Sequence, residues 1–228
     1  MKSRKIKTLQ WTIVITAIVG SLIWMLSSGT SNQPKTNVTQ DAAELLKIAS
    51  DDYIKGNPDA PVTLVEYLDF ECEACGAYFP LVQQLAKEYP DDLRIVTRYF
   101  PLPSHRNSMT AALAVEAAGR QGKYWEMHDL LFTEQKNWGE KQAPTPAVFE
   151  KYAEQIGLNM EQFKSDVASP EVKARVQRDF DAGEQLGNTG TPTFYLNGKR
   201  IQNPNGLPAF KALIDAQLGA DVEFGITE

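Results

Sequence analysis

The two cysteines of this 228-residue chain are three positions apart, as Cys72 and Cys75 in the segment VEYLDFECEACGAYFP, residues 65–80. Two thiols at this spacing can bind a metal, form a structural disulfide or alternate between dithiol and disulfide. A zinc site needs four ligands, and the only histidines, His105 and His128, have a spacing unlike that of zinc fingers. A structural disulfide that closes so short a loop removes little entropy from the unfolded chain. The pair therefore favours a reversible redox site.

The cysteines are predicted to lie where a central strand ends and a helix begins. The apolar run Val62–Phe70 predicts a strand covered on both faces, and apolar residues recur at helical spacing from Tyr78 to Tyr89. Unpaired N–H groups and the macrodipole at a helix start stabilise an anion, which would lower the pKa of Cys72. Cys75 lies one turn deeper and is expected to be less exposed. We therefore predict that Cys72 attacks and that Cys75 resolves mixed disulfides.

The remaining elements predict an α/β domain. A second strand at Leu93–Phe100 completes a strand–helix–strand unit, and residues 105–187 have the pattern of consecutive helices. Residues 191–203, TPTFYLNGKRIQN, predict a hairpin with Asn197-Gly198 as its tight turn. A last amphipathic helix is predicted at about Pro208–Leu218. The sequence thus predicts a mixed sheet whose two halves are separated by a helical insertion.

The N-terminus combines a basic tail with an apolar span. Residues 1–8 carry four positive charges, and Leu9–Leu26, within a predicted anchor at 9–27, would rise about 27 Å as a helix, close to one hydrocarbon core. Positive charge before the span predicts a cytoplasmic N-terminus and a domain on the other side of the membrane. The alternative is a cleaved signal peptide, for which Ser27 and Gly29 form a weak cleavage site. Both interpretations place the domain outside the cytoplasm.

Composition and charge limit the partners of the domain. The chain has 43% hydrophobic and 23% charged residues, as is usual for a globular protein. The chain has 23 Lys and Arg residues and 29 Asp and Glu residues, so without the four positive charges of the tail the formal charge is −10. An acidic domain argues against nucleic acid and anionic lipid as partners. We predict one domain at residues 51–228, which follows a spacer with a short helix at residues 28–50.

These motifs together resemble a known family. A Cys-x-x-Cys pair after a central strand, Pro80 five residues later and Thr191-Pro192 at the start of a hairpin resemble the thioredoxin-fold pattern. The segments YFPLPSHRNSMTAALAVEAAGRQGKYWEMHDLLF and GTPTFYLNGKRI are similar to those of DsbA-like thiol-disulfide oxidoreductases, especially their membrane-anchored branch. The resemblance covers about residues 50–220. It implies a thioredoxin fold with a helical insertion, preceded by one N-terminal transmembrane helix.

The resemblance also implies roles for residues away from the cysteines. Glu66 matches a buried acidic residue beneath the site, where burial would raise its pKa and let it take the proton of Cys75. The alternative is a solvent-facing Glu66 on an edge strand. Pro192 matches a cis-proline, whose bond would turn the backbone of Thr191 toward Cys72. An extended substrate could then pair with Thr191 as an added strand.

The dipeptide between the cysteines departs from the family pattern. The strong oxidants of the family have Pro-His there, whereas this chain has Glu73-Ala74. A histidine can help to hold the thiolate and a glutamate cannot, so these two residues are expected to tune the redox potential and leave its direction open. Of the two histidines, His105 lies in a loop that can approach the site. His128 is expected to be a packed helix residue.

The leading hypothesis is an extracytoplasmic enzyme that introduces disulfides into exported, cysteine-containing proteins and is reoxidised by a membrane redox partner. It is expected to be a single-pass membrane protein anchored by residues 9–26, a monomer, and independent of any metal or cofactor other than its Cys72–Cys75 disulfide. The first alternative is a reductase or isomerase fed by a membrane electron donor. The second is a membrane-tethered binding or chaperone module that uses the groove beside Pro192 without turnover.

Overall fold

The computed structural model describes residues 38–141 and 146–223. Its elements follow the chain in the order α1 (Val38–Leu45), β1 (Tyr53–Gly56), β2 (Val62–Leu68), α2 (Glu73–Glu88), β3 (Leu93–Tyr99), α3 (Ser108–Gly119), α4 (Tyr124–Thr133), α5 (Gln135–Trp138), α6 (Pro146–Gln155), α7 (Met160–Ala168), α8 (Pro170–Gln185), β4 (Thr193–Leu196), β5 (Lys199–Arg200) and α9 (Leu207–Glu223). The predicted span at Leu9–Leu26 lies outside the described residues. Within residues 38–141 and 146–223, no helix combines the length and the apolar character needed to cross a membrane.

The five strands form one mixed sheet in the order β1-β3-β2-β4-β5. Strands β2 and β3 are parallel and are joined by α2, which confirms the predicted strand–helix–strand unit. The pairs β1 with β3, β2 with β4 and β4 with β5 are antiparallel. Successive residues Leu64 and Val65 on β2 are both buried although they face opposite sides of the sheet. β2 is therefore a central strand, and the loop after it emerges in the middle of the sheet.

β2 ends at Leu68, two residues earlier than the sequence predicts. The Asp69 carboxylate accepts a hydrogen bond of 2.9 Å from the backbone N–H of Glu71, so the chain turns instead of continuing the strand. α2 then begins at Glu73, with Cys72 as its N-cap residue at φ −69° and ψ 120°. This turn brings both cysteines to the rim of the sheet.

Helices α3 to α8 lie between β3 and β4 and confirm the predicted insertion. α3 is buried on nearly all sides, and the small side chains of Ala111, Ala114 and Ala118 let neighbouring helices pack closely against it. α8 begins with a side-chain cap, because the Ser169 hydroxyl accepts a hydrogen bond of 3.2 Å from Val172 N–H.

Residues near both ends of the described part of the chain pack on the sheet. Leu46, after α1, is buried in the same cluster as Val65 and Tyr67. On the other face, Phe210 of α9 is buried with Leu64. The predicted hairpin is confirmed, since Asn197 and Gly198 both have positive φ, of 45° and 76°, as a two-residue type I′ turn requires.

Candidate active site

The two cysteines lie at the start of α2 at different depths. Both are free thiols. Cys75 is fully buried, whereas Cys72 keeps 8% of its surface exposed. Because an incoming thiolate must reach the sulfur that it attacks, Cys72 is the thiol open to a partner from solvent. The predicted order of depth is confirmed, and the roles of attacking and resolving thiol remain predictions.

The surroundings of Cys72 favour its thiolate. The side chain of Cys75, as a hydrogen-bond donor, is the strongest influence, burial opposes it, and the Thr191 side chain and the backbone N–H groups of Cys75 and Ala74 add to it. Together they lower the pKa of Cys72 to about 5. At neutral pH Cys72 is therefore a thiolate. The backbone contribution is the helix-start effect that the sequence predicts.

The dipeptide between the cysteines faces solvent. Glu73 and Ala74 are both exposed. Glu73 lines a cleft of about 190 Å³ together with the cation of Lys136 and the acidic residues Glu71 and Glu140. The strongest influences on the Cys72 pKa come from other groups. The effect of Glu73 and Ala74 on the redox potential thus remains a prediction.

The surroundings of Cys75 disfavour its thiolate. Burial, followed by the neighbouring Cys72 and the charge of Glu66, raises the pKa of Cys75 well above its ordinary value. The backbone N–H of Asp69, which lies 3.5 Å from Cys75 Sγ, offsets part of this shift. Cys75 is therefore a neutral thiol at neutral pH. It needs a base before it can attack a disulfide.

Glu66 is the candidate for that base, and its role in proton transfer remains a prediction. It lies on β2, paired with Thr97 on β3 and with Phe194 on β4, and is only 4% exposed. Burial raises the pKa of Glu66 to about 8. The solvent-facing alternative is wrong, because β2 is central and covered on both faces. A carboxyl group with a pKa near neutrality can both accept and donate a proton at physiological pH.

The hairpin that begins β4 completes the site. The Thr191–Pro192 peptide bond is cis, as the resemblance implies. Cys72 Sγ lies 3.4 Å from the Thr191 carbonyl oxygen, to which it donates a hydrogen bond only while it is protonated. The Asn203 side-chain amide donates a hydrogen bond of 2.8 Å to the Pro192 carbonyl and fixes this turn. The structure thus brings Thr191 and Pro192 to Cys72, while their contact with substrate remains a prediction.

Two buried carboxylates beside the cysteines were missed from the sequence. Asp69 accepts hydrogen bonds from the backbone N–H groups of Glu71 and Leu102, at 2.9 Å each. Glu71 accepts two from Asn107, at 2.6 and 3.0 Å, and one of 2.9 Å from Glu140 N–H. They tie the cysteine loop to the insertion. Two acidic residues inside the short apolar segment YLDFEC are the signal that could have identified them.

His105 approaches the site as the sequence allows. Its Nδ1 lies 2.7 Å from a carboxylate oxygen of Asp69. Burial alone would lower the pKa of His105, but Asp69, the Cys72 thiolate and Glu71 together raise it. His105 also lines a cleft of about 330 Å³ with Arg106 and other polar residues. This cleft is next to the cysteine loop, because Glu71 forms part of its wall.

His128 is packed within α4, as expected, and is 4% exposed. Its ring contacts those of Phe70, Trp125 and Phe132 at centroid distances of 5.1 to 5.5 Å. Across residues 38–141 and 146–223, no three side chains of His, Cys, Asp or Glu are grouped so that they could hold a metal ion. The chemistry that this site offers is thiol chemistry.

The sequence matches a family model described as thioredoxin over residues 49–216. The chain belongs to the thioredoxin family. The match spans β1 to β5, the whole insertion and most of α9, and it therefore contains both cysteines, Glu66 and the cis-proline. It confirms the thioredoxin fold with a helical insertion, whereas the N-terminal transmembrane helix remains a prediction.

A curated relative matches over a limited part of its own length. The chain is 39% identical over 164 residues to the Na(+)/H(+) antiporter NhaA 3 of Salinispora tropica. The aligned region covers 72% of this chain and 24% of that protein. The chain thus spans about a quarter of the length of this relative, and antiport is the named activity of the longer protein.

Solved structures resemble most of the domain. Alpha-DsbA1 of Wolbachia pipientis superposes with a TM-score of 0.72 and 20% identity, over 79% of this chain and 98% of that one. A thioredoxin-like oxidoreductase of Silicibacter pomeroyi superposes with a TM-score of 0.65 and 28% identity, over 75% and 94%. The likeness to alpha-DsbA1 shows a DsbA-like fold, and the family match together with the Silicibacter pomeroyi protein shows that the chain is a thioredoxin-like oxidoreductase.

Proposed function

We propose that this chain introduces disulfides into exported proteins, outside the cytoplasm, by exchange through Cys72 and Cys75. The observation that carries the proposal is the contrast between the two thiols. Cys72 has a pKa of about 5, whereas the pKa of Cys75 lies well above its usual value. A stabilised Cys72 thiolate favours the reduced enzyme, so the disulfide form takes electrons readily. This contrast supports the oxidising direction.

The proposed reaction begins with a thiolate of the client protein. It attacks Cys72 Sγ of the enzyme disulfide, and Cys75 leaves as a thiolate that takes a proton from Glu66. A second client thiol, as its thiolate, then attacks the client sulfur of the mixed disulfide and releases the Cys72 thiolate. Two client thiols have lost two electrons, and the enzyme has gained them. The low pKa of Cys72 makes it the better leaving group.

Reoxidation reverses the proton movement. The Cys72 thiolate attacks a disulfide of a membrane redox partner, and one partner sulfur leaves. Cys75 gives its proton to Glu66, attacks Cys72 Sγ and releases the second partner sulfur. The two electrons pass to the partner. No cofactor other than the cysteine pair enters the cycle.

The cis-proline turn is the proposed site for client backbone. The Thr191 carbonyl lies beside Cys72 and precedes the first residue of β4, so an extended client segment can pair there. The polar cleft at His105 and Arg106 lies next to the same loop and can accept client side chains. A monomer contains all of these groups.

The redox state of the pair in cells tests the direction. Thiol alkylation of the full-length chain in its native compartment should find Cys72 and Cys75 mostly oxidised. A mostly reduced pair would favour the alternative of a reductase or isomerase fed by a membrane donor. A pair whose state has no effect on client disulfides would favour the binding or chaperone module.

We also propose that residues 9–27 anchor the enzyme in the membrane, with residues 1–8 in the cytoplasm, residues 28–50 as spacer and the catalytic domain outside. The apolar segment Leu9–Leu26 and the basic residues before it support this arrangement. The chain should stay in the membrane fraction after an alkaline wash, and protease should reach the domain only from outside. A soluble form beginning near Thr30 would instead support a cleaved signal peptide.

A further inference from the structure

A glutamine of the helical insertion contacts the loop that carries the cysteines. The Gln135 side-chain nitrogen donates hydrogen bonds to the Phe70 carbonyl at 2.8 Å and to the Cys72 carbonyl at 2.9 Å. Carbonyl oxygens only accept hydrogen bonds, so the amide must present its NH₂ group, and each of its two N–H bonds serves one carbonyl. Gln135 is 65 and 63 positions from these residues, so its side chain ties the insertion to both neighbours of Glu71.

Core packing anchors the backbone that carries Gln135. Gln135 begins α5, and Trp138, the last residue of this short helix, is fully buried. The Trp138 indole N–H donates a hydrogen bond of 3.0 Å to the Leu131 carbonyl, and its ring packs edge-on against Phe149 at a centroid distance of 5.0 Å. The Gln135 amide thus reaches the cysteine loop from a backbone that is fixed in place.

Gly76 makes room for this amide. A Cβ atom at position 76 would overlap Gln135 Oε1 and lie 3.0 and 3.2 Å from its Cδ and Nε2, so any side chain there must displace the amide. Gly76 lies inside α2 and has no positive φ, and at such a position glycine is less favourable than alanine. Room for Gln135 is thus a reason for a glycine that helix formation alone disfavours.

The Cys72 carbonyl lies at the point where the loop turns into α2. Cys72 is the N-cap residue, with ψ of 120°, and its carbonyl also accepts a hydrogen bond of 3.1 Å from Gly76 N–H. Rotation about ψ of Cys72 would move this carbonyl and the following N–H groups together, relative to the Cys72 side chain. Among them are the N–H groups of Ala74 and Cys75, which favour the Cys72 thiolate. A donor that fixes the carbonyl therefore also fixes these N–H groups beside the sulfur.

We propose that Gln135 is a positioning residue for thiol exchange, which holds the Phe70 and Cys72 carbonyls so that the first N–H groups of α2 face Cys72 Sγ. Gly76 takes part by leaving room for the amide. The inference rests on the proposed function, in which Cys72 is the exchanging thiol. Gln135 is uncharged and acts through the loop backbone. Its replacement leaves in place the titratable groups near Cys72, which are Cys75 and Glu73 on α2, His105 with its partner Asp69, and Glu71.

The pH dependence of Cys72 alkylation in the reduced full-length chain tests this positioning. Iodoacetamide reacts with the thiolate, so its rate at each pH follows the thiolate fraction. Gln135→Met keeps the length of the side chain but cannot donate, and the pKa of Cys72 should rise by about half a unit, the size of a helix-start contribution. From a parental pKa of about 5, alkylation at pH 5 should then be about 2-fold slower, and that at pH 8 unchanged. The equilibrium with glutathione at pH 7 should shift about 3-fold towards the disulfide form.

Gly76→Ala tests the same contact from the other side. Its methyl group should push the Gln135 amide off the two carbonyls and raise the pKa of Cys72 by a similar amount. Alanine favours the helix, so this variant should keep its stability and leaves the inference testable if Gln135→Met folds poorly. In a chain with Gln135→Ala, Gly76→Ala should add no further shift, because no amide remains to be displaced.

Gln83→Met is the matched control. Gln83 is a half-buried glutamine of α2 whose amide donates a hydrogen bond of 2.7 Å to Asp129, so its replacement also removes a side-chain hydrogen bond. Urea unfolding should show lower stability for Gln83→Met, as for Gln135→Met. The pH profile of Cys72 alkylation in Gln83→Met should nevertheless stay parental.

An unchanged pKa of Cys72 in both Gln135→Met and Gly76→Ala would overturn the inference. An equal shift in Gln83→Met would overturn it too, because a loss of stability alone would then suffice. The same holds for a Gly76→Ala shift that persists in full in the Gln135→Ala chain. A cysteine pair that is mostly reduced in cells would instead contradict the proposed function, whichever way these pKa values move. The two failures are therefore distinguishable.

Discussion

Replacing Glu66 by glutamine is expected to stabilise the reduced protein, and to do so more strongly as the pH rises. Glutamine keeps the shape and a neutral polar end, but it cannot ionise. The parental carboxyl group is only 4% exposed, and this burial raises its pKa from 4.5 to about 8. The folded protein therefore binds this proton more tightly than the unfolded chain does, and folding must hold a proton that water would otherwise remove.

The size of the effect follows from the two pKa values. The contribution of Glu66 to stability is fully present below pH 4.5, declines as the pH rises and is lost above about pH 8. At 1.36 kcal/mol per unit, the parent loses about 3 kcal/mol of unfolding free energy by pH 7 and roughly 4 kcal/mol by pH 8 from this one group. Glu66→Gln should not have this loss. The difference in unfolding free energy between variant and parent should therefore grow by these amounts as the pH rises.

Urea unfolding of both proteins under reducing conditions, at several values between pH 4 and 9, measures this difference. The pH-dependent part is the tested quantity, since packing differences between the two side chains add only a constant. Glu73→Gln is the matched control, because Glu73 is exposed at the start of α2 and its replacement should change stability little at any pH. Parallel stability curves for parent and Glu66→Gln would refute the argument that burial sets this pKa.

Three further predictions concern Cys72. Cys75→Ala should accumulate mixed disulfides with client proteins, detected on non-reducing gels, and Cys72→Ala should not; equal trapping by both would reverse or remove the assigned roles. Glu73→His should lower the pKa of Cys72 by up to about one unit and raise the redox potential by up to about 30 mV against glutathione, because a negative charge beside the thiolate is removed. His105→Phe should raise the pKa of Cys72, measured by thiolate absorbance, because a cation held by Asp69 is lost; an unchanged value would mean that the thiolate does not sense this imidazole.

Local sequence patterns predicted most of the fold. The apolar run of β2, the helical spacing after Cys75 and the Asn197-Gly198 turn each act within a few residues, so each is visible in the sequence. The depth of the two thiols follows from the same logic, because one helical turn separates them. The burial of Glu66 was implied by the family resemblance, and the residue pattern alone left a solvent-facing position open.

Contacts between distant segments were not predictable in this way. Glu71 is bound by Asn107 and Glu140, which lie 36 and 69 residues away and have no local pattern that points to them. The strand after Val62 ended early because the Asp69 side chain bonds to the backbone, which a pattern of apolar residues does not reveal. A cavity of about 10 Å³ that Glu66 lines is formed by side chains from elements distant in the chain, among them β1, β3 and α4. Only the three-dimensional structure shows it.

The contact between Cys72 and Thr191 joins residues that are 119 positions apart in the chain. A polypeptide made from its N-terminus therefore carries both thiols long before it carries the turn that faces them. Until β4 pairs with β2, Cys72 lacks the Thr191 side chain that helps to stabilise its thiolate, and one side of Glu66 is uncovered. A nascent chain thus has both cysteines before it has the complete active site, which forms only when the hairpin of β4 and β5 has folded back onto β2.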